Sequence, residues 1–205
     1  MIGILKYRAG NLASVSNALD RLSSDYIITD DIDKLESCNA ILFPGVGHAE
    51  SAMNDLKERK LDRWLKNTKK PVLGICLGMQ LLYESTEEGE TRSLGIIPGR
   101  LKRFDPKTGK VPHMGWNQFK PLKEHPLLKN IGNEQFLYYV HGYYAPPNDY
   151  TLATCNYICD FAAVAAKNNF MGVQFHPEKS GQIGSMLLQN FLDIVEDRKN
   201  GQPDS

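Results

Sequence analysis

The stretch Val72-Leu73-Gly74-Ile75-Cys76-Leu77-Gly78-Met79-Gln80 constrains the chain more than any other. An apolar run ends at Cys76, and a helix-like segment, Leu77–Tyr83, begins directly after it. A strand that passes into a helix with no connecting loop must go through a sharp, strained turn. Bulky neighbours would collide there, which gives the glycines two residues to either side, Gly74 and Gly78, a steric reason. The layout is that of a nucleophile elbow, with cysteine where hydrolases of the α/β type place serine.

The rest of the first half agrees with this unit. Ile2–Lys6, Ala40–Phe43 and Val72–Ile75 read as strands, and Leu12–Leu22 has the spacing of a helix. The alternation predicts an α/β fold: an open, mostly parallel sheet with helices on both faces. The second half is richer in strands, at Arg100–Phe104, Gln135–His141, Thr151–Thr154, Ala162–Ala166 and Gly172–Phe175, and closes with a helix over Ser185–Val195. Extra antiparallel strands are expected there. Lys102–His113 and Tyr144–Tyr150 carry turn residues and read as surface loops. One domain over residues 1–205 is expected, with a frayed polar tail from Asp197.

Lys+Arg and Asp+Glu are both 24, so the formal net charge is zero. Such a chain has no global field to draw it to nucleic acid or membrane phosphate, and neither is expected as a partner. The N-terminal apolar run is too short for a secretion signal, and no later run approaches a membrane span. A cytoplasmic location follows, and thiols rather than disulfides for Cys38, Cys76, Cys155 and Cys159. Cys155 and Cys159 lack a second ligand pair at zinc-site spacing, so no metal is expected, nor any cofactor. With Cys38 they read as structural.

Cys76 is the thiol in a reactive setting. It sits over a helix N-terminus, whose partial positive charge favours thiolate, and the amide of Leu77 points where an oxyanion would form. Taken alone, the same residues describe equally well a buried thiol ending a core strand. The second half adds Gly172-Val173-Gln174-Phe175-His176-Pro177-Glu178-Lys179. A thiol nucleophile needs a base, and the base needs a group that fixes its tautomer. Pro177 favours an extended conformation at His176, and in extended chain residues i and i+2 point to one side, so Glu178 can reach the imidazole. His48 and His125 read as surface residues and His113 as structural.

Gly74–Gln80 and Gln174–Glu178 together resemble the two hallmark motifs of the class I (triad) glutamine amidotransferases, which have a flavodoxin-like α/β fold. A narrower resemblance, to the glutaminase subunits of imidazole glycerol phosphate synthases, rests on further segments. These are Tyr7-Arg8-Ala9-Gly10-Asn11, Phe43-Pro44-Gly45-Val46-Gly47, Ile97-Pro98-Gly99-Arg100, Pro112-His113-Met114-Gly115-Trp116-Asn117 and His141-Gly142-Tyr143-Tyr144.

The resemblance implies a catalytic triad of Cys76, His176 and Glu178. It implies an oxyanion site at Val46, Gly47 and Leu77, and L-glutamine held by Gln80, Glu88 and the backbone of His141, Gly142 and Tyr143. It implies a cyclase subunit as partner in a heterodimer, facing Asn11, Met114, Trp116, Asn117 and Lys179. The residues alone leave other readings open: Gln80 as a solvated helix residue, Glu88 as one of an acidic loop, Trp116 as core. The chain departs from the family pattern at Arg8, where glycine is usual, and at Gly142, where serine is usual. These departures keep open a paralogue that supplies ammonia for amidino groups on bacterial surface sugars. Other functions also remain in view: a cysteine peptidase or hydrolase on a similar elbow, and a non-catalytic regulatory subunit.

Overall fold

The computed structural model describes residues 1–9 and 11–201; Gly10 of the Tyr7–Asn11 segment and residues 202–205 of the expected tail lie outside the described residues. The first half runs β1 (Ile2–Leu5), α1 (Leu12–Arg21), β2 (Tyr26–Thr29), α2 (Ile32–Ser37), β3 (Ala40–Gly45), α3 (Ala49–Glu58), α4 (Leu61–Asn67), β4 (Val72–Cys76) and α5 (Leu77–Leu82). There follow β5 (Tyr83–Thr86), β6 (Thr91–Arg92), β7 (Ile97–Arg103), β8 (His113–Pro121), β9 (Phe136–His141), β10 (Tyr143–Tyr144), β11 (Thr151–Tyr157), β12 (Cys159–Lys167), β13 (Phe170–Val173) and α6 (Gly181–Lys199).

Nine strands form one sheet in the order β2-β1-β3-β4-β13-β12-β11-β8-β9. From β2 to β13 every neighbouring pair is parallel, and from β13 outward every pair is antiparallel. The fold is therefore the expected α/β arrangement, with antiparallel strands added in the second half. Every residue of β1, β3, β4 and β13 is buried. That is why these strands read as unbroken apolar runs: helices cover both faces.

Alternate side chains sort onto the two faces. Ile2, Ile4, Leu42, Leu73 and Ile75 pack with Val15 and Leu19 of α1 and Leu187 and Phe191 of α6. Leu5, Ile41, Phe43 and Val72 pack with Leu35, Met53, Leu56, Leu61 and Leu65 of α2, α3 and α4. Each such fully buried side chain contributes about 1.5–3 kcal/mol relative to exposure. This matters most for α5, whose six residues are too few to hold a helix alone, and all of which are buried. Its stability comes from packing onto the sheet.

A second sheet, in the order β10-β7-β5-β6, grows directly out of α5. The helix expected to reach Tyr83 ends at Leu82, because Tyr83 already begins β5. Two expected loops are shorter than their sequence suggests: β7 runs to Arg103 with Phe104 fully buried behind it, and Tyr144 belongs to β10. The closing helix extends to Lys199, past the start of the expected frayed tail.

Candidate active site

The residue at the elbow carries its strain. Cys76 has φ 54° and ψ −108°, on the left-handed side that side-chain-bearing residues seldom occupy. The flanking glycines answer to close packing. A Cβ on Gly78 would overlap the carbonyl oxygen of Phe43 in β3. One on Gly74 would lie 2.7 Å from the amide nitrogen of Met79. Helix and strands thus approach backbone to backbone.

Sheet topology brings distant residues together. Gly45 of β3 registers with Cys76 of β4, and Val173 of β13 with Ile75. The loops after β3, β4 and β13 therefore open at one edge, the carboxyl ends of parallel strands, where sites in such sheets form. There they enclose a cavity of about 190 Å³. All the residues expected at the oxyanion and glutamine sites line it, with Cys76, His176 and Lys179. It is smaller than pockets for drug-sized ligands and suits a small metabolite better than a peptide. A larger groove, of about 940 Å³ between Pro121–Ile131 and α6, has no cysteine in its lining.

Glu178 stands behind the cavity. Its Oε1 lies 2.7 Å from His176 Nδ1, with the two side chains 1% and 4% exposed. His176 is extended, at φ −100° and ψ 93°, so the pairing follows the expected i, i+2 geometry. The loop is clasped to β9: His176 N donates to Tyr138 O at 2.8 Å. Ser180 Oγ donates to His176 O at 2.7 Å and accepts from Tyr138 N at 2.9 Å. Ser180 was not singled out in the sequence; its signal is a small hydroxyl residue beside the histidine loop.

Burial alone would lower the His176 imidazole, but the hydrogen bonds it donates to the Cys76 sulfur and the Glu178 carboxylate raise it to about 10. Between the ordinary value of 6.5 and about 10, folded chain keeps a proton that unfolded chain has released. The pair's contribution to stability is therefore full below the ordinary value and is lost as pH rises through about 10. Urea melts across that window should show a decline with pH for the native chain and a flatter profile for His176→Asn. Equal slopes would contradict a raised imidazole.

Three further groups tighten the site. His141 Nδ1 lies 2.8 Å from Tyr143 O, and its Nε2 lies 3.1 Å from His113 Nδ1. A carbonyl only accepts, so His141 Nδ1 carries the hydrogen and His113 Nδ1 donates to His141 Nε2. His113 Nε2 then accepts from Asn117 Nδ2 at 3.3 Å. Burial lowers His113 to about 4. Burial, opposed by the Tyr143 carbonyl and aided by His113 and His176, lowers His141 to about 3. Both rings are neutral, as this one-way chain requires. His113 also stacks on Tyr157 at 4.1 Å, in keeping with a structural part.

Gln80 is 7% exposed rather than solvated, and its Nε2 donates to Tyr143 O and Gln174 Oε1, each at 3.0 Å. Gln174, to which the sequence alone gives no part, sets its Nε2 3.9 Å from Cys76 Sγ. Glu88 is half-buried, and its Oε2 accepts from Ala49 N at the start of α3, at 2.7 Å. The Val46 amide is committed elsewhere, to Ala9 O at 2.5 Å.

Met114 and Trp116, on one face of β8, are 63% and 55% exposed. The alternative of a core tryptophan is thereby settled. Phe136 on the neighbouring strand, 53% exposed, extends the same apolar face and was not singled out in the sequence. Asn117 points to the opposite face, toward His113 and Asn156 O. Asn11 is the N-cap residue of α1 and stands outside the cavity lining; Lys179 is exposed at its edge. Among the described residues no cluster of three metal-ligating side chains occurs.

Residues 8–195 match the family described as glutamine amidotransferase class-I. The imidazole glycerol phosphate synthase subunit HisH of Bacteroides fragilis (strain YCH46) is 46% identical over 195 residues, covering 94% of this chain and 99% of the relative. The subunit of the same name from Haemophilus influenzae (strain Rd) is 45% identical, covering 95% and 98%. Among solved structures, a glutamine amidotransferase from Thermotoga maritima superposes with a TM-score of 0.64 at 16% identity, covering 97% of this chain and 84% of that one. The glutaminase domain of Trypanosoma brucei CTPS gives 0.68 at 15%, covering 100% and 95%. The chain belongs to the class-I glutamine amidotransferases and, within them, to the HisH subunits of imidazole glycerol phosphate synthase.

Proposed function

We propose that this chain hydrolyses L-glutamine to glutamate and ammonia on a Cys76–His176–Glu178 triad. The ammonia passes to a cyclase subunit that forms imidazole glycerol phosphate and AICAR in histidine biosynthesis. The observation that carries the reading is the convergence of Cys76 and the raised His176 in one small cavity, with Glu178 at 2.7 Å behind the imidazole.

In this mechanism the Cys76 sulfur attacks the side-chain carbonyl carbon of glutamine. The Leu77 amide, at the start of α5, stabilises the oxyanion. His176, already protonated and held by Glu178, gives its proton to the departing nitrogen, and ammonia leaves a thioester on Cys76. The now neutral His176 takes a proton from water, which attacks the thioester and releases glutamate. Glu88 and Gln80 supply acceptors for the amino acid's N–H groups. The Val46 amide cannot donate to the oxyanion while it is bound to Ala9. Loss of one such donor costs roughly 100- to 1,000-fold in rate. Ala9 lies two residues from Asn11, in the segment assigned to the partner, so docking has a direct route to this bond.

Turnover of the chain alone, and mixed with a histidine-pathway cyclase subunit and its nucleotide substrate, tests the reading. Strong stimulation with imidazole product is expected. Glutamine hydrolysis without stimulation would remove the cyclase from the account and favour the sugar-modifying paralogue.

The partner would dock on the apolar face of Met114, Trp116 and Phe136, forming a heterodimer. Trp116→Ala should weaken that association by about tenfold or more, as for a buried aromatic anchor. It should change the stability of the isolated chain by no more than about 0.5 kcal/mol, because the ring is exposed. Calorimetric titration with the cyclase, beside thermal melts, checks both; unchanged affinity would move the interface elsewhere. The setting would be the cytoplasm. All four cysteines are free, as suits a reducing compartment, and no helix among the described residues is long and apolar enough to cross a membrane.

A further inference from the structure

We infer that Gln174 is a positioning residue that holds the Gln80 side chain with only its oxygen toward the cavity, so that the site takes a ligand N–H there and rejects a carboxylate. The inference rests on glutamine being the ligand of this cavity and adds the device by which the cavity selects it.

The Gln80 amide nitrogen has two hydrogens, and both are committed. One goes to the Tyr143 carbonyl at 3.0 Å, the other to Gln174 Oε1 at 3.0 Å. The Tyr143 contact identifies the nitrogen end, since a carbonyl oxygen cannot donate. That carbonyl is itself fixed by His141 Nδ1–H at 2.8 Å, backed by His113 at 3.1 Å. Turning the Gln80 amide over would set its oxygen against two acceptor oxygens. Gln174 is 1% exposed, so water does not compete for its contacts.

What remains of Gln80 for a ligand is Oε1, and Gln80 lines the cavity that also holds Cys76 and His176. An acceptor oxygen pairs with an ammonium or an amide N–H. A carboxylate offers it no hydrogen and meets it with repulsion. Gln174 serves because it accepts from Gln80 with one atom and turns N–H toward Cys76 Sγ, at 3.9 Å, with the other. Glutamate at this position would keep the first contact, lose the second, and place another anion beside the sulfur.

The test uses the full chain in a Cys76→Ala background, so that binding is read without turnover. Affinities are measured by calorimetry for L-glutamine, L-glutamate and 4-carbamoylbutanoate, which is glutamine without its α-amino group. Gln174→Met keeps the shape and removes the acceptor. It should lower the preference for glutamine over at least one of the two analogues by about tenfold, the scale of one hydrogen bond. Gln174→Glu should lower neither preference, because the Gln80 hydrogen bond survives and the new anion repels a ligand carboxylate. In the chain with Cys76 present it should slow thioester formation. Unchanged preferences in Gln174→Met, or equal losses in the two variants, would overturn the inference.

Should Gln174→Met fail to fold, the native chain still answers. Both side-chain amide protons of Gln80 should be protected from solvent exchange by NMR, and rapid exchange of either would overturn the inference. Failure of the unmodified site to bind glutamine would overturn the functional reading itself. Glutamine binding with unchanged preferences would overturn this inference alone.

Discussion

Replacing Cys76 with alanine should abolish glutamine hydrolysis, lowering turnover by about 10⁵- to 10⁶-fold, and should leave the fold intact. Loss of the nucleophile from a triad has an effect of that order, because the remaining groups have no atom to activate. The fold should survive because the sulfur makes few contacts: the His176 imidazole, Val140 O at 3.6 Å and Gln174 Nε2 at 3.9 Å. Alanine at φ 54° carries the same backbone strain that cysteine already bears. Alanine at Cys38 or Cys155 makes the control, since both thiols are buried away from the cavity lining. Those variants should keep turnover within a few-fold and lose stability instead. Ammonia release, read beside circular dichroism, distinguishes the two patterns. A Cys76→Ala chain that still released ammonia from glutamine would refute the assigned nucleophile.

The largest effect on stability is expected at Gly78. A methyl group there would occupy the position of the Phe43 carbonyl oxygen, which is backbone of the central strand β3 and cannot move aside. Helix α5 would have to lift from the sheet, exposing side chains that are all buried now. Gly78→Ala should therefore cost about 3 kcal/mol or more. Gly47 offers the contrast. Its φ is 99°, and an added Cβ would meet nothing within 4 Å. Gly47→Ala should cost only backbone strain, about 1–2 kcal/mol. Urea melts of the two variants measure the difference, and a Gly78→Ala chain as stable as the native one would show that strand and helix do not approach as described.

How much of this was legible follows from burial. Strands β1, β3, β4 and β13 are covered on both faces, so they stand out in the sequence as apolar runs. The elbow was legible because Gly74, Cys76 and Gly78 lie within five positions, and His176 with Glu178 within three. Strand β8 was hidden: two of its exposed residues, Met114 and Trp116, are large and apolar, while His113 points into the core. That inverts the pattern by which a strand is usually read. The six-residue α2 is too short for a periodic signal.

Within the site, Gln174 had no local signal, because its partner Gln80 is far off in sequence, and the small hydroxyl of Ser180 beside the histidine loop does not by itself indicate its tie to distant Tyr138. Nor does sequence indicate that the Val46 amide is occupied by Ala9, since that depends on how two loops lie against each other.

The central claim is that Cys76 takes the glutamyl group from glutamine. The direct measurement mixes the chain and a histidine-pathway cyclase subunit with glutamine labelled in its carbon chain, quenches in acid within a turnover, digests, and locates the label by mass spectrometry. The account predicts a glutamyl adduct on the peptide bearing Cys76, absent from Cys76→Ala and accumulating in variants slow to hydrolyse the thioester. Ammonia released with no adduct on Cys76, or with the adduct on another residue, would contradict it.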